Sequence, residues 1–138
     1  PLGRVPAATA EDVRRAIDAA AAAQPSWAAR SVWERAAVLR RLAAAIRARG
    51  PEILDLEARD TGNTIAKLTA DVQIAAGYLE YFAGLASEMK GETVPASAQG
   101  LHFTLREPWG VVARIVPFNH PFMFAAAHLA APLMAGNA

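Results

Sequence analysis

An α/β fold, mostly helical, with one half-buried strand and one parallel core strand, is predicted by three features of this 138-residue sequence. Stretches of apolar residues at helical spacing fill the chain before Lys90. Leu101, Phe103 and Leu105 then alternate with His102, Thr104 and Arg106, the period of a strand with one face covered. Finally Val111, Val112, Ala113, Ile115 and Val116 form a short, β-branched apolar run of the kind buried on both faces in a parallel sheet.

The helices follow in order from their caps and stripes. Thr9 with Asp12 has the spacing of a capping box, and Val13, Ile17, Ala20 and Ala21 share a face, so a first helix spans 10–23 before Gln24 and Pro25 break it. Ser31 and Glu34 repeat the cap. Val38, Leu39, Leu42, Ala45 and Ile46 make the second stripe, and Arg40, Arg41, Arg47 and Arg49 its solvated side. Pro51 suits the first position of a third helix through Arg59, stopped by Thr61 and Gly62. A fourth helix, over 65–89, places Leu68, Val72, Ala75, Ala76, Leu79, Phe82, Ala83 and Ala86 on one side, with Gly77 and Gly84 as candidates for close packing. Residues 90–100 have the composition of a loop, and the alternating strand spans 101–108. A last helix starts near Pro121 and should bend around Leu129 to Leu133, because Pro132 removes an interior hydrogen bond.

Composition bounds the function. Fourteen Lys plus Arg against thirteen Asp plus Glu leave a net charge of +1, without the concentrated basic face that nucleic acid requires. No apolar run is long enough for a membrane span, and no signal peptide is visible, so a cytoplasmic protein is expected. There is no cysteine, hence no thiol nucleophile and no thiolate metal site, and the three His lack carboxylates at ligand spacing. A hydrophobic fraction of 54% excludes a disordered tail. The opening on Pro1 and the close on Gly136, Asn137 and Ala138, where a loop should deliver another strand, read as those of a fragment.

The chemistry concentrates at the tip Pro117, Phe118, Asn119, His120, Pro121. Pro117 ends the apolar run and Pro121 has the fixed φ of a first helical turn, so Asn119 sits at a strand-to-helix switch, where open α/β sheets hold ligands. Taken alone, an Asn ahead of x-Pro is a turn or cap residue, and residues 115–118 are the end of a buried strand.

That tip and the helix end Ala131 to Asn137 resemble the aldehyde dehydrogenase superfamily. So do, in order, Arg59 to Gly62, Tyr78 to Ala86, Gly91 to Pro95 and Thr104 to Pro108. The resemblance implies the amino-terminal part of a Rossmann-like, cofactor-binding domain: helical over 1–100, a bridging or oligomerisation strand over 101–108, and the first core strand and helix over 110–138. It implies that Asn119 donates to the aldehyde oxygen as negative charge develops there, that Ile115, Val116, Pro117 and Phe118 contact NAD or NADP, and that His120 and Phe124 line the aldehyde tunnel. A Trp commonly follows the family's tip Pro; Phe118 keeps an aromatic surface but has no indole N–H. His128 takes a position often held by a long basic side chain, and surface packing is its expected role. The implied enzyme oxidises an aldehyde to a carboxylate through a Cys hemithioacetal and thioester as a homodimer or homotetramer, with Cys and Glu outside these residues, so these 138 residues alone are expected to be inactive. A GxGxxG phosphate loop is missing, which the family explains by holding its cofactor elsewhere. Two other readings stay open: a non-catalytic helical interaction module, and an inactive scaffold of the same fold.

Overall fold

The computed structural model describes residues 2–138. Two reciprocal caps start its first helices. The Asp12 carboxylate accepts from the Thr9 N–H at 2.8 Å while the Thr9 hydroxyl accepts from the Asp12 N–H at 3.2 Å, and Ser31 with Glu34 repeats both bonds at the same lengths. Helix α1 covers Ala10–Ala28 and α2 covers Val32–Ala48. The predicted end of α1 at residue 23 is therefore corrected. Proline withholds only its own N–H, Pro25 lies in the last turn, and its carbonyl still accepts from Ala29 at 3.0 Å. The predicted stripe of α1 is not a core face in this chain, since no α1 residue is buried and Val13 and Ile17 are exposed.

Helix α3 spans Gly50–Thr61, with Pro51 in its first turn, and ends where Gly62 adopts φ 74°, the left-handed conformation that glycine reaches without a Cβ clash. Helix α4, Ile65–Gly84, passes into a 3-10 turn over Leu85–Glu88. The core is the seam between α2 and α4, with Ala36, Leu39, Ala43 and Ile46 facing Val72, Ala75, Ala76, Leu79 and Ala83. Every residue of the predicted α4 stripe is buried except Phe82, which packs at the margin. Alanines make the close approach. Gly77 and Gly84 do not, because a Cβ on either would meet nothing within 4 Å.

Strands β1, Thr93–Ser97, and β2, Gly100–Phe103, form an antiparallel hairpin with Thr93 opposite Phe103 and Ser97 opposite Gly100. Two expectations change here: 90–100 is not all loop, and the strand placed at 101–108 stops at Phe103. Every residue of both strands is exposed, so neither face is packed on a core, and the alternation of Leu101 and Phe103 marks no buried side. Gly91 precedes the hairpin because the backbone of Thr104 crosses it closely; a Cβ there would lie 1.7 Å from the Thr104 carbonyl oxygen.

The predicted core strand at 111–116 is not a strand among the described residues. A strand of a parallel sheet needs partners along its length, and this segment has one rung: Ala138 N–H donates to Gly110 O and Val112 N–H to Ala138 O, both at 2.8 Å. The alternation is that of a parallel pair. Beyond the tip, the last helix is divided into α5, Pro121–Ala127, and α6, Ala130–Met134. The break at His128 and Leu129 is the bend that Pro132 predicts, four residues after the carbonyl it leaves without a donor.

Candidate functional site

The tip leaves the 111–116 segment and enters α5 on one side of the α2–α4 core. Helix α5 is short, and side chains from other elements take up its polar ends. Arg114 donates to the Phe124 and Ala125 carbonyls at 2.8 and 3.2 Å, at the carboxyl end of α5. At its amino end the Phe122 N–H donates to Glu57 Oε1 at 3.3 Å, so an α3 carboxylate faces the positive end of the helix. The return of the chain is fixed by Asn137, whose Oδ1 accepts from Gly110 N–H at 2.9 Å and whose Nδ2 donates to Pro132 O at 3.2 Å.

Asn119 is exposed at the mouth of a 410 Å³ cleft lined also by Asp60, Thr61, Asn63 and Phe118. Its backbone carbonyl accepts from Asn63 Nδ2 at 3.0 Å, while its side-chain amide has no hydrogen-bond partner among the described residues. The donor is therefore free to face a ligand. Phe118 and Ile115 stand bare beside it, Phe118 at 92% of full exposure, with Val116 and Pro117 also exposed.

His120 is half-buried, with Nδ1 2.6 Å from Oδ2 of Asp71, which is 5% exposed on the core side of α4. The His120 ring meets Phe124 edge-on at 6.3 Å, Phe124 meets His128 at 5.4 Å, and His128 meets Tyr78 at 6.5 Å. His120 and Phe124, expected as tunnel-lining residues, lie in ring contact, and His128 packs on the surface with them. Glu57 lies below. Its Oε2 is enclosed without a partner, and burial pushes its pKa up, against the pull of the Phe122 N–H; the Asp71 and Asp60 charges add to the rise and His120 opposes it.

Sequence reasoning missed Asn63, Asp71 and Glu57. One signal was available for Asp71, which interrupts the apolar stripe of α4 between Leu68 and Ala75, at a helical position that only a paired carboxylate occupies cheaply. Among the described residues no group of three or more His, Asp or Glu could hold a metal ion. Among the described residues no helix is long and apolar enough to cross a membrane.

A model of the aldehyde dehydrogenase family matches residues 1–138. The chain belongs to the aldehyde dehydrogenase family. It is 42% identical to aldehyde dehydrogenase tropH of Talaromyces stipitatus, over 99% of this chain and 27% of that protein. Its structure superposes on PnpE from Pseudomonas sp. WBC-3 with a TM-score of 0.93 at 39% identity, covering 98% of this chain and 28% of the other. Lactaldehyde dehydrogenase from Escherichia coli gives 0.92 at 37% identity, again covering 97% and 28%. The chain thus spans little more than a quarter of the length of these proteins. PnpE has also been solved in complex with nicotinamide adenine dinucleotide, with a TM-score of 0.93 to this chain. The mostly helical arrangement with a small antiparallel hairpin is that of the amino-terminal part of aldehyde dehydrogenases.

Proposed function

We propose that these residues belong to an enzyme that oxidises an aldehyde to a carboxylic acid with NAD or NADP, and that Asn119 serves its oxyanion hole. The observation that carries this is the Asn119 amide, an unbonded donor on a tip whose backbone is held from behind. A donor fixed before reaction stabilises a developing oxyanion without reorganising, and in a site closed to water it does so far more than solvent can. Residues 1–138 then form the first portion of the cofactor-binding domain, with the hairpin as its bridging or oligomerisation element.

The ledge of Ile115, Val116, Pro117 and Phe118 fits the flat face of a nicotinamide, because it is apolar, uncovered and adjacent to Asn119. When bound, the nicotinamide accepts the electron pair removed from the aldehyde carbon. The ledge orients its ring, Asn119 donates to the aldehyde oxygen, and His120 with Phe124 forms one wall for the rest of the aldehyde. The thiol that attacks the carbonyl carbon to give a hemithioacetal, and the carboxylate that activates water against the later thioester, come from outside these cysteine-free residues. A cytoplasmic homodimer or homotetramer is the setting this reading assumes.

The test is Asn119→Ala in the full-length protein, followed by single-turnover reduction of the nicotinamide with a panel of aldehydes. Loss of one oxyanion donor is expected to slow the chemical step about 10²- to 10³-fold while cofactor affinity changes little. A folded variant reacting at the parent rate would return Asn119 to the role of a turn residue. A parent with no turnover would favour the inactive scaffold.

A further inference from the structure

The geometry points to Asn63, Asp71 and Glu57 as a three-point clamp on the tip, positioning residues that aim the Asn119 amide. The inference rests on the oxyanion reading of Asn119 and extends it to residues outside the tip.

Each member holds a different point, two of them tip residues and the third the first turn of α5 that follows. Asn63 Nδ2 donates to the Asn119 carbonyl at 3.0 Å, Asp71 Oδ2 meets His120 Nδ1 at 2.6 Å, and Glu57 Oε1 accepts from the Phe122 N–H at 3.3 Å. Asn119 is thus tied at its own carbonyl and at the residue after it, while its side chain is tied to nothing. This division suits a donor that must be aimed yet left free. An exposed tip between two prolines has no strand ladder to set its position; besides the His120 carbonyl, which accepts from the Phe124 N–H at 3.1 Å in α5, its side-chain ties come from α3, α4 and the turn between them.

The clamp is itself anchored. The Thr61 hydroxyl accepts from the Asn63 N–H at 3.1 Å and donates to the Glu57 carbonyl at 2.7 Å, so Asn63 and Glu57 are joined through the last turn of α3. Asp71 is held in the α4 face that packs the core. Its carboxylate also fixes the orientation of the His120 ring through the contact to Nδ1. Displacement of a catalytic donor by about 1 Å costs on the order of 10²-fold in rate, so a partial release of the tip should be measurable.

The experiment uses the full-length enzyme and single-turnover reduction of the cofactor. Asn63→Ala and Asp71→Leu are each expected to slow the chemical step about tenfold, a fraction of that displacement cost, with the KM for cofactor unchanged. Asp71→Asn should recover most of the rate, since a carboxamide oxygen still accepts from Nδ1–H. Asn63 lies at the surface, so its variant tests the clamp without risk to the core. The decisive comparison is in the Asn119→Ala background, where a residue that acts through Asn119 has nothing left to aim. There Asp71→Leu and Asn63→Ala should produce no further loss. Equal losses with and without Asn119 would overturn the clamp and leave the oxyanion reading standing. Parent rate in Asn119→Ala alone would overturn both.

Discussion

Glu57 is a carboxyl whose chemistry is altered by its surroundings. Its carboxyl is pushed up first by burial, then by the Asp71 and Asp60 charges, with the Phe122 N–H and His120 pulling the other way. For an acid with a raised folded-state value, the folded protein binds the extra proton in the window between the two values, so its stability contribution is complete below the ordinary value of 4.5 and is lost as pH rises through the raised one. Glu57→Gln keeps an acceptor for the Phe122 N–H and removes the titration. Its melting temperature relative to the parent should therefore rise as pH goes from below that ordinary value toward neutral. A difference that stays constant across thermal melts at a series of pH values would show that the Glu57 carboxyl binds its proton equally well in the folded and unfolded protein. Arg35 is the contrasting case, a guanidinium 7% exposed whose donors reach the Met134, Ala28 and Arg30 carbonyls instead of a carboxylate. Neither residue was legible in sequence, where Arg35 follows an N-cap box like any surface arginine; its burial depends on the end of α1 and on α6, whose Met134 carbonyl folds back onto it.

At the scale of elements, what is coded locally was legible. The boxes Thr9–Asp12 and Ser31–Glu34 place the starts of α1 and α2 because both partners lie within one turn. Ser31→Ala should destabilise the protein by about 1 kcal/mol, read as a lower denaturation midpoint in urea with an unchanged slope. The same box depresses the Glu34 pKa, through the Ser31 hydroxyl first and its N–H second, so the stability it contributes is present above the ordinary value of 4.5 and is lost as pH falls through the depressed one. A midpoint identical to that of the parent would show that solvent caps the helix equally well. The break between α5 and α6 was legible for a similar reason, since Pro132 lacks the donor that the His128 carbonyl needs. Strand β1 was not. Thr93–Ser97 contains Pro95 and is exposed on both faces, so neither composition nor alternation marks it, and its pairing with residues 100–103 depends on how the chain turns back.

At the scale of the molecule, the α2–α4 seam is well filled, whereas the region around the tip is bare. Trp109 is 94% exposed, Ile115 and Phe118 are as fully uncovered, and Val13 and Ile17 on α1 are about half exposed. Apolar surface left in water favours association. The isolated 138-residue chain is expected to self-associate in sedimentation velocity, with the associated fraction rising with concentration; a monomer that unfolds cooperatively at every concentration would show that these residues are tolerated as an ordinary surface. The four main helices, the α4 core stripe, the break at the end and the tip that bears Asn119 were legible in the residues alone, because each follows from hydrogen bonds or side-chain periodicity within a few residues. It took the three-dimensional packing to show that Asp71 and Asn63 meet the tip and Glu57 the helix after it, that Trp27 Nε1 and Arg35 Nε satisfy the Leu133 and Met134 carbonyls, and that 111–116 has a single rung of sheet. These contacts join residues far apart in sequence, and a polar side chain's partner is set by where the packing of apolar faces carries it.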